Sequence, residues 1–538
     1  MKFYFLLLCI ALFANIYAQP YTTADTLRGS LSPSRTWFNV QQYALYLIPN
    51  YKAKTLTGTN TITFKALRSA VTMQLDLQPG MSIDKITLPG QPAPTIVRNG
   101  AAHFITFKNM FTANNTYSIV VQFSGKPIEA VRPPWDGGLI FAKDAKGRPW
   151  LSTACQGLGA SAWWPCKDHQ SDEPDNGTNI TIEAEGKLKT VSNGKLIAAK
   201  QTAKTNTETW QVTQPINSYN ICMNIGNYVS FKDTFNGLNG VLPLTYYVLD
   251  YNLAKAKTQF AQVKPMLRAF EYWFGPYPFY ADGYKLVETP FLGMEHQSAT
   301  AYGNGFKNGY LGQDLSGTGW GLKWDYILVH ESGHEWFGNN ISTNDIADMW
   351  VHEGFTNYSE ALYTEYYYGK NAGNEYVKGL RKNIQNNTPI IGPYNVNKEG
   401  SGDMYYKGAN LIHTIRQVID NDSLFRAILI GLNTNFYHKT VTTQEVESYI
   451  SRNARKDFST VFNQYLRTTQ IPKLIVQFAN NELKYKWANT IDGFNMPLKI
   501  LINNIPTIIK PTETFQTHSA VNNYKIDNNY YIDIKITD

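Results

Sequence analysis

Two histidines four residues apart stand in the segment Val329-His330-Glu331-Ser332-Gly333-His334-Glu335-Trp336-Phe337-Gly338-Asn339. On a helix that spacing puts both imidazoles on one face, one turn apart, within reach of a single ion. Zinc suits the pair, because it takes nitrogen and oxygen ligands tetrahedrally and, in a catalytic site, uses three protein ligands plus a water. A third ligand is therefore required. Glu353, separated from His334 by eighteen residues and lying in Asp348-Met349-Trp350-Val351-His352-Glu353-Gly354-Phe355, is the candidate. Glu331 adjoins one histidine and is three residues from the other, so its carboxylate can flank the ion without binding it. Zinc lowers the pKa of bound water toward about 7, and a carboxylate so placed can act as general base and later pass the proton to a leaving amine. The set predicts one zinc ion and metal-assisted hydrolysis. Gly333 costs about 1 kcal/mol of helix propensity, which predicts either close packing or the close approach of a substrate at that point.

These groups need a scaffold, and the hydrophobic periodicity divides it into three. From about residue 36 to 230 the pattern alternates with period two between turn residues, as in Tyr43, Leu45 and Leu47, in Thr61-Ile62-Thr63-Phe64, and in Tyr117 to Phe123, which predicts many short strands. Between about 253 and 466 the spacing becomes helical, with long segments at Ala254 to Phe274, Lys323 to Phe337 and Phe355 to Tyr368, preceded by an extended stretch from Tyr284 to Met294. After Pro472 alternation returns. Leu474, Val476 and Phe478 share a face, Asn480-Asn481 suits a turn, and Leu483, Tyr485 and Trp487 alternate with lysines, while Tyr530, Ile532, Ile534 and Ile536 close the chain in the same way. The expected organisation is a β domain over 19–230, a mainly helical catalytic domain over 231–469 and a small β-sandwich over 470–538.

Composition narrows the class. The chain has 538 residues, 43% apolar and 17% charged, enough for more than one core and without the charge runs or repeats of disordered or coiled-coil chains. Residues 1–18 carry Lys2, an apolar run from Phe3 to Ala14 and a small residue at Ala18, the pattern of a cleaved secretory signal peptide. The expected location is therefore the periplasm or the extracellular space. Losing Lys2 takes the formal charge from +7 to +6, too mild and too dispersed to predict a nucleic-acid partner. No other run is long enough for stable membrane insertion. Three cysteines would remain, Cys155, Cys166 and Cys222, which allows one internal disulfide, best placed between Cys155 and Cys166, or three buried free thiols.

With these motifs in hand, the chain resembles the zinc aminopeptidase family of aminopeptidase N and the leukotriene hydrolase-aminopeptidase over roughly residues 30 to 470. The histidine pair, the glutamate eighteen residues on within Trp350-Val351-His352-Glu353-Gly354-Phe355, and the extension Trp336-Phe337-Gly338-Asn339 carry the resemblance. It implies a saddle-like N-terminal β domain, a thermolysin-like catalytic domain, and peptides with a free N-terminus as substrates. The family's Gly-x-Met-Glu-Asn motif falls on Leu292-Gly293-Met294-Glu295-His296, which departs at Leu292 and His296. The resemblance implies that Glu295 pairs with the substrate α-ammonium and that Gly293 and Met294 line the substrate. A second family segment near the amine matches Thr153-Ala154-Cys155-Gln156 and implies that Gln156 assists without adding charge. The family tyrosine in Tyr-x-Lys-Gly matches Tyr405-Tyr406-Lys407-Gly408 and implies that Tyr405 donates to the oxyanion. Glu360 and Asn357 share the Glu353 face of one helix, where they either support the ligands or are solvated or packed. Larger relatives end in a helical domain for which this chain has no room, so a more open cleft is expected. A thermolysin-like endopeptidase would have no need of Glu295, and an intact Glu331 argues against a scaffold without turnover.

Overall fold

The computed structural model describes residues 21–537, so residues 1–18, read as a signal peptide, lie outside it. A seven-stranded sheet dominates the N-terminal part, in the order Lys195–Gln201, Thr205–Val212, Thr178–Glu185, Phe38–Asn50, Thr55–Ala66, Thr116–Gly125, Met81–Thr87. All neighbours are antiparallel except Phe38–Asn50 and Thr178–Glu185, which run parallel with Tyr43 opposite Thr178. The period-two pattern is the cause: Leu56, Ile62, Phe64 and Ala66 of one strand are sealed in the core while Thr61, Thr63 and Lys65 turn outward. Beside it, a four-stranded sheet of Lys189–Val191, Asn224–Gly226, Pro149–Ala154 and Gly138–Lys143 ends one strand at Ala154, two residues before Gln156.

A further, mixed sheet begins the part that carries the histidine pair. Its order is Tyr228–Gly237, Gly240–Leu249, Tyr284–Glu288, Thr300–Tyr302, Gly293–Met294, so the short Gly293–Met294 strand forms an edge. The stretch from Tyr284 to Met294, expected as one strand, is therefore two, separated by Thr289-Pro290-Phe291-Leu292, whose proline cannot donate to a ladder. The helical segment from Ala254 to Phe274 is likewise interrupted by a 3-10 turn at Phe260–Gln262 before the helix Val263–Phe274, whose first turn contains Pro265, a position where a missing N–H is harmless.

His330 lies on the helix Tyr326–Gly333, shorter than the expected Lys323 to Phe337, and His334 is its C-cap residue with backbone angles still helical, φ −63° and ψ −19°. Asp325 caps the helix by accepting from the Leu328 N–H at 3.2 Å, and past Gly333 the backbone loosens into bonds spanning five residues, such as Asn339 N–H to the His334 carbonyl at 2.9 Å. Glu353 lies on the helix Trp350–Tyr368, and Tyr405 immediately precedes the helix Tyr406–Ile419.

After these helices come two small sheets, one of four strands (Gln516–Ser519, Glu482–Ala488, Lys473–Ala479, Asp533–Thr537) and one of three (Ile505–Ile509, Leu498–Ile502, Tyr524–Ile526). Asn480 and Asn481 both take left-handed backbone angles, φ 51° and 60°, and join two strands whose register closes at Ala479 opposite Glu482, a two-residue hairpin turn. The alternation there is a sound guide to strand but not to covering. Phe478 is 38% exposed, and Ile534 and Ile536, on the terminal edge strand, are 43% and 66% exposed. No large C-terminal helical domain follows among the described residues. Cys155, Cys166 and Cys222 are buried free thiols, so the disulfide alternative is set aside; burial pushes the Cys155 and Cys222 thiols up to about 12.

Candidate active site

His330, His334 and Glu353 come together although two helices supply them. Their facing atoms lie close: His334 Nε2 is 3.4 Å and His330 Nε2 is 3.7 Å from Glu353 Oε2. The other ring nitrogens are committed. His330 Nδ1 donates to Glu360 Oε1 at 2.7 Å, and His334 Nδ1 donates to the Phe337 carbonyl at 2.9 Å. Carboxylate and carbonyl oxygens accept only, so both Nδ1 atoms carry the hydrogen and both Nε2 lone pairs turn toward Glu353. Glu353 Oε2 is itself sealed from solvent with no hydrogen-bond partner among the described residues. Two imidazole lone pairs and an orphaned carboxylate oxygen make a donor set that a zinc ion satisfies. Ligand atoms around a tetrahedral zinc at about 2.0–2.1 Å sit about 3.4 Å apart, which matches the observed spacings.

Glu360 is held by three donors, His330, Asn357 Nδ2 at 2.8 Å and the Tyr376 hydroxyl at 2.6 Å, and is buried. Of the alternatives open for Glu360 and Asn357, support of the ligands is the one this geometry favours. The ring of Tyr326 stacks on His330 with centroids 5.3 Å apart and planes at 12°.

Glu331 lies beside the cluster with its carboxyl pushed up to about 7, burial being the main cause and the neighbouring Glu295 and Glu353 adding to it against the two histidines. Gly293 lets it lie there. A Cβ on Gly293 would come within 2.6 Å of Glu331 Oε1 and 2.8 Å of Ile327 Cγ2, so only glycine allows the edge strand to pass the carboxylate. Gly333 resolves in favour of packing: a Cβ there would meet Ser359 Oγ at 2.7 Å and Thr356 Cγ2 at 3.1 Å, both on the helix that carries Glu353.

Glu295 is 3% exposed rather than a surface strand residue. Gln156 links it to the metal cluster, its Nε2 donating to Glu295 Oε1 at 2.8 Å and to Glu353 Oε1 at 2.9 Å. The Asn339 side chain donates to the Glu295 carbonyl at 3.0 Å, so the Trp-Phe-Gly-Asn extension fixes this segment's backbone. His296, where the family motif has asparagine, points away from any polar partner: burial pushes it down to about 3, and both ring nitrogens lack hydrogen bonds among the described residues. Tyr405 stacks on His330 with centroids 6.1 Å apart. Burial first, then Glu353, Glu399, Glu295 and Glu331, push its phenol well above the ordinary value, so it keeps its proton. Gly293, Met294, Glu295, Gln156 and Tyr405 line one cavity of about 430 Å³ together with the metal cluster and Glu331.

Comparison with known proteins gives this arrangement a family. The peptidase family M1 domain matches residues 260–465 and the peptidase M1 N-terminal domain matches residues 39–220, so the two span most of the chain. The chain belongs to peptidase family M1. Among M1 relatives, leukotriene A-4 hydrolase of Xenopus laevis is 22% identical over 77% of this chain and 68% of its own length. A probable aminopeptidase 2 of Sulfurisphaera tokodaii is 19% identical over 68% of this chain and 46% of its own, and human endoplasmic reticulum aminopeptidase 1 is 22% identical over 60% and 35%. The chain thus spans from about a third to about two thirds of the curated relatives it matches. An M1 zinc metallopeptidase of Deinococcus radiodurans, solved with a Tyr-Ser-Ala substrate, shares the fold at a TM-score of 0.70 with 19% identity over 83% of this chain and 98% of its own. A two-domain M1 zinc metallopeptidase bound to L-tryptophan matches at 0.67 and 20% over 80% and 96%.

Tyr219, beside the cavity, and Glu399, on its lining, escaped the sequence reading. The Tyr219 hydroxyl donates to Glu295 Oε1 at 3.0 Å, from a segment with no marker among 35 tyrosines. Glu399 lines the cavity from the stretch before Tyr405; burial, then Glu353 and Glu295, push its carboxyl up to about 7.

Proposed function

We propose that this M1 chain is a zinc aminopeptidase, holding one zinc ion on His330, His334 and Glu353 and releasing the first residue from peptides with a free N-terminus. The observation that carries the reading is the single amide of Gln156 bridging Glu295 and Glu353 at 2.8 and 2.9 Å. An α-ammonium accepted by Glu295 lies only two bonds from the first carbonyl carbon, so the amine anchor and the metal site are spaced for an exopeptidase rather than for cleavage within a chain.

Zinc in such a site supplies Lewis acidity, which acidifies water and polarises a carbonyl. The residues supply the rest. Glu331 takes the proton of the attacking water and hands it to the leaving amine. Tyr405, protonated by virtue of its surroundings, donates to the developing oxyanion, a contribution of about 2.7–4 kcal/mol where such a donor is lost. Glu295 accepts the α-ammonium, and a buried carboxylate of this kind favours a bound cation strongly over a blocked, neutral amide. Gln156 orients Glu295, while Gly293 and Met294 present the edge strand along which the substrate backbone lies.

The test compares free and N-acetylated aminoacyl amides, with and without chelator, in the wild type and in Glu331→Gln. Acetylation should cost at least about 100-fold in kcat/KM, chelation should abolish turnover until zinc is returned, and Glu331→Gln should retain one zinc per chain while losing about 10²–10⁴-fold in rate. Equal cleavage of acetylated substrate would replace the reading with an endopeptidase, and a normal rate in Glu331→Gln would remove Glu331 as the base.

A further inference from the structure

The catalytic cavity is lined by four carboxylates, Glu295, Glu331, Glu353 and Glu399, and by no lysine or arginine. Under the reading above, three have partners in turnover: Glu353 the metal, Glu331 the attacking water, Glu295 the α-ammonium. Glu399 has none. Among the described residues its carboxylate takes part in no hydrogen bond and no ion pair, and the groups that act on it are other carboxylates, Glu353 and Glu295. With the metal and the ammonium placed, Glu399 is the carboxyl of the cavity that no group in this reading answers, and a partly buried carboxyl among like charges keeps its proton unless a cation joins it.

Its location says which cation. Glu399 Oε1 lies against Gly157, 2.7 Å from where a Cβ on that glycine would stand. Gly157 directly follows Gln156, whose amide ties Glu295 to Glu353. The Gln156-Gly157 pair therefore carries the amine anchor on one residue and abuts Glu399 on the next. In an amino-terminal residue the side chain and the ammonium leave the same α-carbon, so an amine held at Glu295 starts the first side chain beside this pair. Lysine and arginine have flexible stems that carry a positive head away from the backbone, and Pro134 and Trp135 add apolar surface to the same cavity lining.

We propose that Glu399 is a specificity residue of the first-residue pocket, pairing with the cationic side chain of an amino-terminal lysine or arginine. The assignment rests on the aminopeptidase reading and names its substrate class.

The experiment measures kcat/KM of the zinc-loaded, full chain for arginyl, citrullinyl and leucyl amidomethylcoumarins, citrulline being the neutral counterpart of arginine in shape and length. The wild type should favour arginine over citrulline by at least about tenfold, and Glu399→Gln should bring that ratio to within about threefold of one, lowering arginine turnover far more than leucine turnover. The wild-type ratio needs no variant, so a misfolded Glu399→Gln would not shelter the proposal. A wild-type ratio near one, or a Glu399→Gln that keeps the wild-type ratio, overturns it. A variant that lowers all three substrates equally overturns it too, because Glu399 would then serve the common amine or the loop around Gly157. Failure of the aminopeptidase reading looks different: no free aminoacyl substrate is cleaved while N-acetylated peptides are, and the proposal falls with it.

Discussion

His330 offers its Nε2 to the cluster because its Nδ1 hydrogen is already taken by Glu360, and Glu360 can take it because Asn357 and Tyr376 satisfy its remaining lone pairs. A ring held in this way has one tautomer and one orientation before any ion arrives, which lowers the ordering cost of binding. Glu360→Ala is accordingly expected to weaken zinc affinity by about 10–100-fold, measured by competition with a chromogenic chelator. Unchanged affinity would mean that the stack on Tyr326 alone holds the imidazole. Neither Glu360 nor Asn357 was singled out by chemistry in the sequence, only by sharing a face with Glu353; the partner that makes Glu360 matter, His330, lies thirty residues away on another helix.

Two elements set the distance between Tyr405, the proposed oxyanion donor, and the proposed metal ligands. The helix Trp350–Tyr368, carrying Glu353, crosses the helix Tyr406–Ile419, which starts just after Tyr405, at a pair of glycines. A Cβ on Gly408 would stand 3.1 Å from Gly354 Cα, and one on Gly354 would stand 3.2 Å from the Met404 carbonyl oxygen. Backbones approach this closely only without side chains between them. Gly354→Ala should therefore separate the helices by a fraction of an ångström and draw Tyr405 out of line. Misplacement of a catalytic group on that scale costs on the order of 10-fold to 100-fold. Zinc content by elemental analysis should hold while kcat falls; loss of the metal together with the rate would place the damage at Glu353 instead. The glycines of both motifs were visible in the sequence as motif letters. That they touch each other was not, because helix crossing is set by which faces the core buries.

At the scale of the whole molecule, net charge and site charge have opposite signs. The chain is formally +7, yet the cavity lining holds four glutamates and no lysine or arginine. Pooled composition averages over the whole surface, so it gave no hint of a cation-binding cleft. Among the described residues no helix is long and apolar enough to cross a membrane. Export remains a proposal resting on residues 1–18 alone: protein recovered from the medium or periplasm of its producing cell should begin at Gln19 by N-terminal sequencing. Recovery from the cytoplasm with Met1 or Lys2 retained would end that reading.

Local rules were enough wherever the chemistry is local. The four-residue spacing of His330 and His334 fixes two imidazoles on one helical face, alternation in 36–230 dictates strands, and Asn480-Asn481 dictates a two-residue turn, because each depends only on backbone geometry over a few residues. The limits of locality are equally plain. Alternation in the last strand could not say that Ile534 and Ile536 face solvent, and Gly333 could not say whether a helix or a substrate approaches it, since both answers come from elements distant in sequence. Tertiary structure alone brought Glu399 into the cavity of the His330, His334 and Glu353 cluster and set the Tyr219 hydroxyl against Glu295. Carboxylates, phenols and amides carry no periodic signature, and only the packing of a β domain against helices decides which of them share a space with the reacting groups.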